Sequence, residues 1–239
     1  MPIDLLDTLD NEDNREIPQW RSLLVRIDEV GGRTDARQAF VDAHANTIRC
    51  VGAADYHYHI LNQVYIPDVV RMGSLTTLWV QIEAESIVIA LYSALDSLMQ
   101  EINLACNFGV RENGVSAYHP EEHRESPNTH TRCVRCKLSL EDDSLGRYLN
   151  EELTLDWFDK LRRLRNRIAH RRLIATNTNL DIGRPTTYIE MPSDPEANRF
   201  TEIPRRGIEI NSYCASGRAD VARTIGNSYE LLAPRIRGI

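Results

Sequence analysis

The sequence predicts an all-α protein, an up-and-down helical bundle with one small β-hairpin placed before the last helix. Three observations carry this prediction. Two long stretches, Thr34 to Pro67 and Ser74 to Gly109, run with helical spacing. A basic stretch after Thr154 and a final one from Ser212 repeat that period, while strand-like alternation is confined to residues 176–210.

The first 18 residues, "MPIDLLDTLDNEDNREIP", are rich in Asp and Glu, end in a proline, and read as a poorly ordered acidic tail. Residues 19–239 read as a single helical domain. Its first helix begins at Thr34-Asp35, an N-cap signal, and runs to Pro67. The second, capped by Ser74 and closed by Gly109, is the best-formed in the sequence. At about 100° per residue, Val80, Ala84, Ile87, Val88, Leu91, Leu95, Leu98, Ile102 and Ala105 fall on one apolar face. Gln81, Glu85, Tyr92, Asp96 and Asn103 fall on a second face, about 120° away. Residues 110–135 carry turn chemistry without a period and read as a long loop. "SLEDDSLGRYLNEEL" resumes helical spacing and leads into a helix capped by Thr154, with Trp157, Leu161, Leu164 and Ile168 as its buried stripe. "TYIEMP" and "FTEIPRRGIEI" alternate about a "SDPEAN" turn, which predicts a surface hairpin. Val221, Ile225, Tyr229 and Leu232 mark the core side of the last helix.

Composition sets loose bounds. At 239 residues, 42% hydrophobic and 26% charged, the chain resembles an ordinary globular protein. The acidic N-terminus lacks the layout of a secretory signal, and no apolar run is expected to reach the roughly 18 residues of a membrane span, so a cytoplasmic location is expected. Five cysteines, odd in number and thinly spread, predict reduced thiols. No P-loop, dinucleotide fingerprint or HExxH motif occurs.

The charge distribution is more informative. The net charge is −7, yet Lys160, Arg162, Arg163, Arg165, Arg167, Arg171 and Arg172 supply +7 in one segment, leaving −14 on the rest. Within that segment Arg163, Asn166, Arg167 and His170 share a polar sector of the helix, whereas Arg165 stands at the margin of the apolar face. The pattern Arg, four residues, His occurs in "RNRIAH", Arg165 to His170, with a polar residue directly after the arginine. Looser matches, Arg37 to His44 and Arg124 to His130, lie in an early helix and in a proline-containing loop. The early pair reads as a solvated stripe.

In this motif and in the long helix "YSALDSLMQEIN" that precedes it, the chain resembles the HEPN superfamily. The likeness covers roughly residues 34–175 and the last helix. It implies a HEPN-like bundle that forms a homodimer, in which two copies of the motif meet in one cleft. It also implies a metal-independent RNA endonuclease, in a toxin–antitoxin or phage-defence setting, requiring no cofactor, with an antitoxin protein as a candidate partner. On this resemblance Arg165, Asn166 and His170 are the catalytic residues: His170 transfers protons, Arg165 stabilises charge on the phosphate, and Asn166 orients one of them. Arg163 and Arg167 would hold flanking phosphates of RNA. Other HEPN proteins are non-catalytic nucleotide- or protein-binding modules.

Blander readings stand beside these. Arg165 can pair with a carboxylate such as Asp96 or Glu85. His170 can be a surface cation at a helix C-terminus, and the arginines a solvated face paired with acidic neighbours. In "HPEEHRESPNTHTRCVRC", His119, His123, His130, Cys133 and Cys136 offer ligands for structural zinc, although a single Cys pair favours a metal-free loop. His57 and His59 point to opposite sides of their helix and read as packing residues.

Overall fold

The computed structural model describes residues 19–20, 23, 34–64, 74–111, 115–117, 133–140, 144–170, 174, 176–179, 186–189 and 208–236. Among them are six α-helices: α1 (Thr34–Val64), α2 (Ser74–Ala105), α3 (Val134–Leu140), α4 (Ser144–Glu152), α5 (Asp156–Ala169) and α6 (Ile210–Leu232). A three-stranded antiparallel sheet, β1 (Thr176–Asn179), β2 (Thr186–Ile189) and β3 (Ile208–Glu209), accompanies them, and a 3₁₀ turn, Ala233–Arg235, follows α6. The fold is all-α with a small β elaboration. The acidic tail, His119, His123, His130 and the side chains of the expected caps Thr34 and Ser74 lie outside the described residues.

The chain forms two compact units. The first comprises Met1–Gly52, Ser93–Leu155 and Ala219–Ile239, and the second Ala53–Tyr92 and Asp156–Arg218. In the first, α1 and α2 run antiparallel, joined by Asn46 Nδ2 to Ser97 Oγ at 2.6 Å and by His44 Nδ1 to Glu101 Oε2 at 2.8 Å. Phe40, Leu95, Leu98, Met99, Ile102, Leu145, Leu149, Val221, Ile225, Tyr229 and Leu232 are buried there. In the second, Ala54, Leu61, Val80, Ile87, Leu91, Phe158, Leu161, Leu164, Ile189 and Ile210 form the core.

The apolar face expected of α2 is buried from Val80 to Ile102. By length and composition the span Leu78–Ala105 is apolar enough to cross a membrane, contrary to the first impression of the sequence, but 56% of its most apolar window is buried within the protein. Its polar residues are committed to neighbouring chain. Asn103, buried, donates from Nδ2 to the Val110 carbonyl at 2.9 Å and accepts the Val110 N–H at 3.0 Å. This clamp follows a helix end in which Asn107 and Gly109 take left-handed φ values of 51° and 64°, the conformation that turns the chain away.

Several local expectations are corrected. The Thr154 hydroxyl donates to the Glu151 carbonyl at 2.7 Å, so Thr154 closes α4, and α5 starts at Asp156. The deepest apolar residue at the start of α5 is Phe158, with Trp157 only half-buried. The sheet gains β1, whose sequence TNTN pairs with β2 in the register Thr176↔Ile189 to Asn179↔Thr186. Cys133 and Cys136 form a disulfide across the start of α3, against the expectation of reduced thiols; Cys50, Cys106 and Cys214 are not in a disulfide. Burial, then Glu209, pushes the Cys214 thiol up to about 12, which keeps it protonated and unreactive.

Asn103→Ala is expected to strand both Val110 backbone groups and cost about 1–3 kcal/mol of stability, read by chemical denaturation. An unchanged midpoint would show that the clamp contributes nothing.

Candidate functional site

α5 carries its charges in an order that divides the basic run. Acids occupy its first turn, where the helix dipole favours them. Asp156 pairs with Lys160 at 2.5 Å, and Asp159 takes both Arg162 and Arg163, each at 2.6 Å. These are neighbours at spacings of three and four residues, the geometry a helix allows. Burial raises the Asp159 carboxyl, but the hydrogen bond from Arg162 and the charges of Arg163 and Arg162 outweigh it and leave it below its ordinary value. Arg163, expected at the RNA, is therefore held on its own helix. Arg167 has a partner as well.

Arg165 behaves differently. Its guanidinium lies over the ring of buried Tyr92, with Cζ 5.0 Å from the centroid, and Nη1 donates to Asn166 Oδ1 at 3.4 Å. Tyr92 in turn stacks with Phe158, their centroids 6.2 Å apart and the planes 14° off parallel. Among the described residues Arg165 has no carboxylate partner, so the ion pair envisaged with Asp96 or Glu85 does not form. Glu85 Oε1 accepts the Ile174 N–H at 2.8 Å, and Asp96 Oδ1 accepts the Ala117 N–H at 2.9 Å and the Ser116 hydroxyl at 3.0 Å. Gln81 completes the tie beside Glu85, donating to the Ile174 carbonyl and the Thr176 hydroxyl. Among the described residues, then, no carboxylate neutralises the charge of Arg165. The ring beneath it supplies a cation–π contact of about 0.5–2 kcal/mol and fixes the plane of the fork.

His170 directly follows α5 and is exposed, and its backbone N–H donates to the Asn166 carbonyl at 3.1 Å. Among the described residues its ring makes no hydrogen bond to Asn166 or to any other group. The structure therefore brings Arg165 and Asn166 together and leaves the imidazole of His170 one turn further on, at the helix end. No group of three or more His, Cys, Asp or Glu side chains disposed to hold a metal occurs among the described residues.

Two histidines that the sequence assigned to solvent or packing are bound to carboxylates. His44 is buried on Glu101, correcting its reading as part of a solvated stripe, and His57 Nδ1 meets Glu83 Oε2 at 2.8 Å. His59 is exposed and meets Gln63, so the two histidines of "HYH" do not act together. Tyr92 was visible only as a member of the second face of α2, and Asp159 was missed, although it stands three and four residues before Arg162 and Arg163. Comparison with protein-family models, with curated proteins and with solved structures finds no match for this chain.

Because the Asp159 carboxyl lies below its unfolded value, its pairs stabilise α5 above the unfolded value and are lost as pH falls through the lowered one. Asp159→Asn is expected to reduce the acid-side loss of stability and, by freeing Arg162 and Arg163, to tighten binding of a polyanion. Thermal unfolding across acid pH and a heparin-binding titration check both; a variant with unchanged acid sensitivity would contradict the pairing.

Proposed function

We propose that the chain acts on RNA as a metal-independent endonuclease of the HEPN type, with Arg165, Asn166 and His170 as its working residues. The observation that carries this reading is the half-buried Arg165, stacked on Tyr92 and steadied by Asn166, with no carboxylate among the described residues to neutralise it. Desolvating a guanidinium without a counter-ion is costly, and a phosphate supplied by a ligand offsets that cost in a way water does not. The fork suits a phosphate because its remaining N–H donors lie in one plane.

In the proposed reaction the ribose 2′-hydroxyl attacks the adjacent phosphorus and gives up its proton to an imidazole. The bond from phosphorus to the 5′-oxygen breaks, and that oxygen leaves with a proton. The products are a 2′,3′-cyclic phosphate and a 5′-hydroxyl end. Arg165 holds the charge that grows on the non-bridging oxygens. His170 carries the proton; its exposure suits a residue that meets substrate or the motif of a second copy. The resemblance implies the homodimer, the toxin or phage-defence setting and an antitoxin partner.

A second reading, a non-catalytic HEPN module that binds a nucleotide or a protein, is favoured by one observation. The ring of His170 is not oriented by Asn166, and an unoriented imidazole is a poor proton-transfer group.

Labelled RNA incubated in EDTA separates the two. The enzyme reading expects cleavage to cyclic-phosphate ends by wild type and a loss of about 100-fold or more in His170→Ala with RNA binding retained. Equal cleavage by both proteins would overturn the assignment of His170, and binding without cleavage by either supports the module.

A further inference from the structure

In the second unit, α1 and α2 hold between them an oriented histidine. His57 on α1 places Nδ1 2.8 Å from Oε2 of Glu83 on α2. The Glu83 side chain is only 9% exposed, whereas that of His57 is 31% exposed. The ring of Tyr56 meets the imidazole edge to face, with centroids 5.5 Å apart and planes 74° apart, which adds a second restraint on the ring. Among the described residues, Nε2 of His57 makes no hydrogen bond.

This arrangement fixes which nitrogen can react. A carboxylate only accepts, so the single proton of a neutral imidazole sits on Nδ1, and the lone pair of Nε2 is left uncommitted. The charge of Glu83 behind the ring also offsets the positive charge that the ring gains when a bond forms at Nε2. Side chains on a helix lie over the preceding turn, and there Ala53 has only a methyl group to set against an incoming group.

The other described histidines each lack one of these features. His44 is 1% exposed and has both ring nitrogens engaged. His59 spends Nε2 on Gln63, and the exposed ring of His170 is held by nothing among the described residues. His57 combines a fixed tautomer with an open Nε2. Its pair with Glu83 has no third hydrogen-bonded member among the described residues. It therefore suits accepting a group from a donor that brings its own binding contacts, rather than turning over a bound substrate. An acyl group on imidazole is short-lived in water, whereas a bond from phosphorus to imidazole nitrogen persists at neutral pH, so a phosphoryl group is the one this site can keep.

We propose that His57 is a phosphoryl-acceptor site, modified at Nε2 by a donor of the acyl phosphate or phosphoramidate class. The Nε2 lone pair attacks phosphorus and forms the new bond. The bond from phosphorus to the leaving carboxylate or ammonia breaks, and its electron pair departs with that group. Nδ1 keeps its proton in the bond to Glu83, and nothing is oxidised or reduced. The site is independent of the RNA reading: Tyr92, which seats Arg165, stands nine residues beyond Glu83. That is about two and a half turns, which puts the two on opposite sides of α2.

The full chain incubated with potassium phosphoramidate tests this, with the modified nitrogens identified by phosphorus and long-range proton–nitrogen NMR and by peptide mass spectrometry without acid. The proposal predicts that His57 is phosphorylated at Nε2 about tenfold or more faster than His59 or His170, although both are more exposed. It also predicts that Glu83→Gln slows the reaction at His57 by about tenfold or more and leaves His59 and His170 unchanged, which separates lost orientation from lost fold. Modification of His57 at Nδ1, a rate no higher than that of His59 and His170, or an unaltered rate in Glu83→Gln would each overturn it and leave His57 as a structural tie between α1 and α2.

Discussion

A helix buried on more than one side cannot leave its polar side chains bare, and α2 is the element on which that constraint falls hardest. Each of its inward polar residues is answered by a different part of the chain. In the second unit Gln81 and Glu85 hold the chain around Ile174 and Thr176, and Glu83 takes His57 from α1. In the first, Asp96 holds the chain at Ser116 and Ala117, Ser97 and Glu101 take α1, and Asn103 clamps Val110. The apolar face of α2 drives burial, and the polar groups decide which segment arrives where. This division of labour follows from the energetics: area removed from water is non-directional, whereas an unmet donor or acceptor costs about 1–3 kcal/mol and so discriminates between partners.

One consequence reaches the candidate site. Glu85 and Asp96 are the acids that the sequence offers to Arg165, and both are already spent on backbone amides. The basic helix meanwhile neutralises its own first half through Asp156 and Asp159. Arg165 is left with a fixed plane and, among the described residues, no carboxylate partner. Positive charge is thus not spread evenly along α5; it is discharged near the start of the helix and preserved at Arg165.

Much of the helical frame was legible in the sequence. The long apolar run of α2 and the stripe Val221, Ile225, Tyr229, Leu232 have strong periods, and periodicity is a local property. Single-position shifts were not: Thr154 satisfies the preference for a cap, but its hydroxyl bonds the preceding helix, and Phe158 is buried where Trp157 was expected. β1 escaped notice because TNTN has no apolar alternation and is defined by its partner strand. The burial of His44 depends on Glu101, 57 residues away, and no spacing rule foretells such a pair. Likewise the motif could be placed on a helix, while the seat of Arg165 over Tyr92 rests on a contact between distant segments.

The central claim is that the charge of Arg165 is kept for a phosphate. Side-chain proton–nitrogen spectra of Arg165 Nε–H, followed while a short 2′-O-methyl RNA that cannot be cleaved is added, test it most directly. The account predicts a saturable shift of that signal that weakens with added salt, and a weaker RNA affinity in Arg165→Lys. RNA binding that shifts the signals of other arginines and leaves Arg165 unmoved would contradict it.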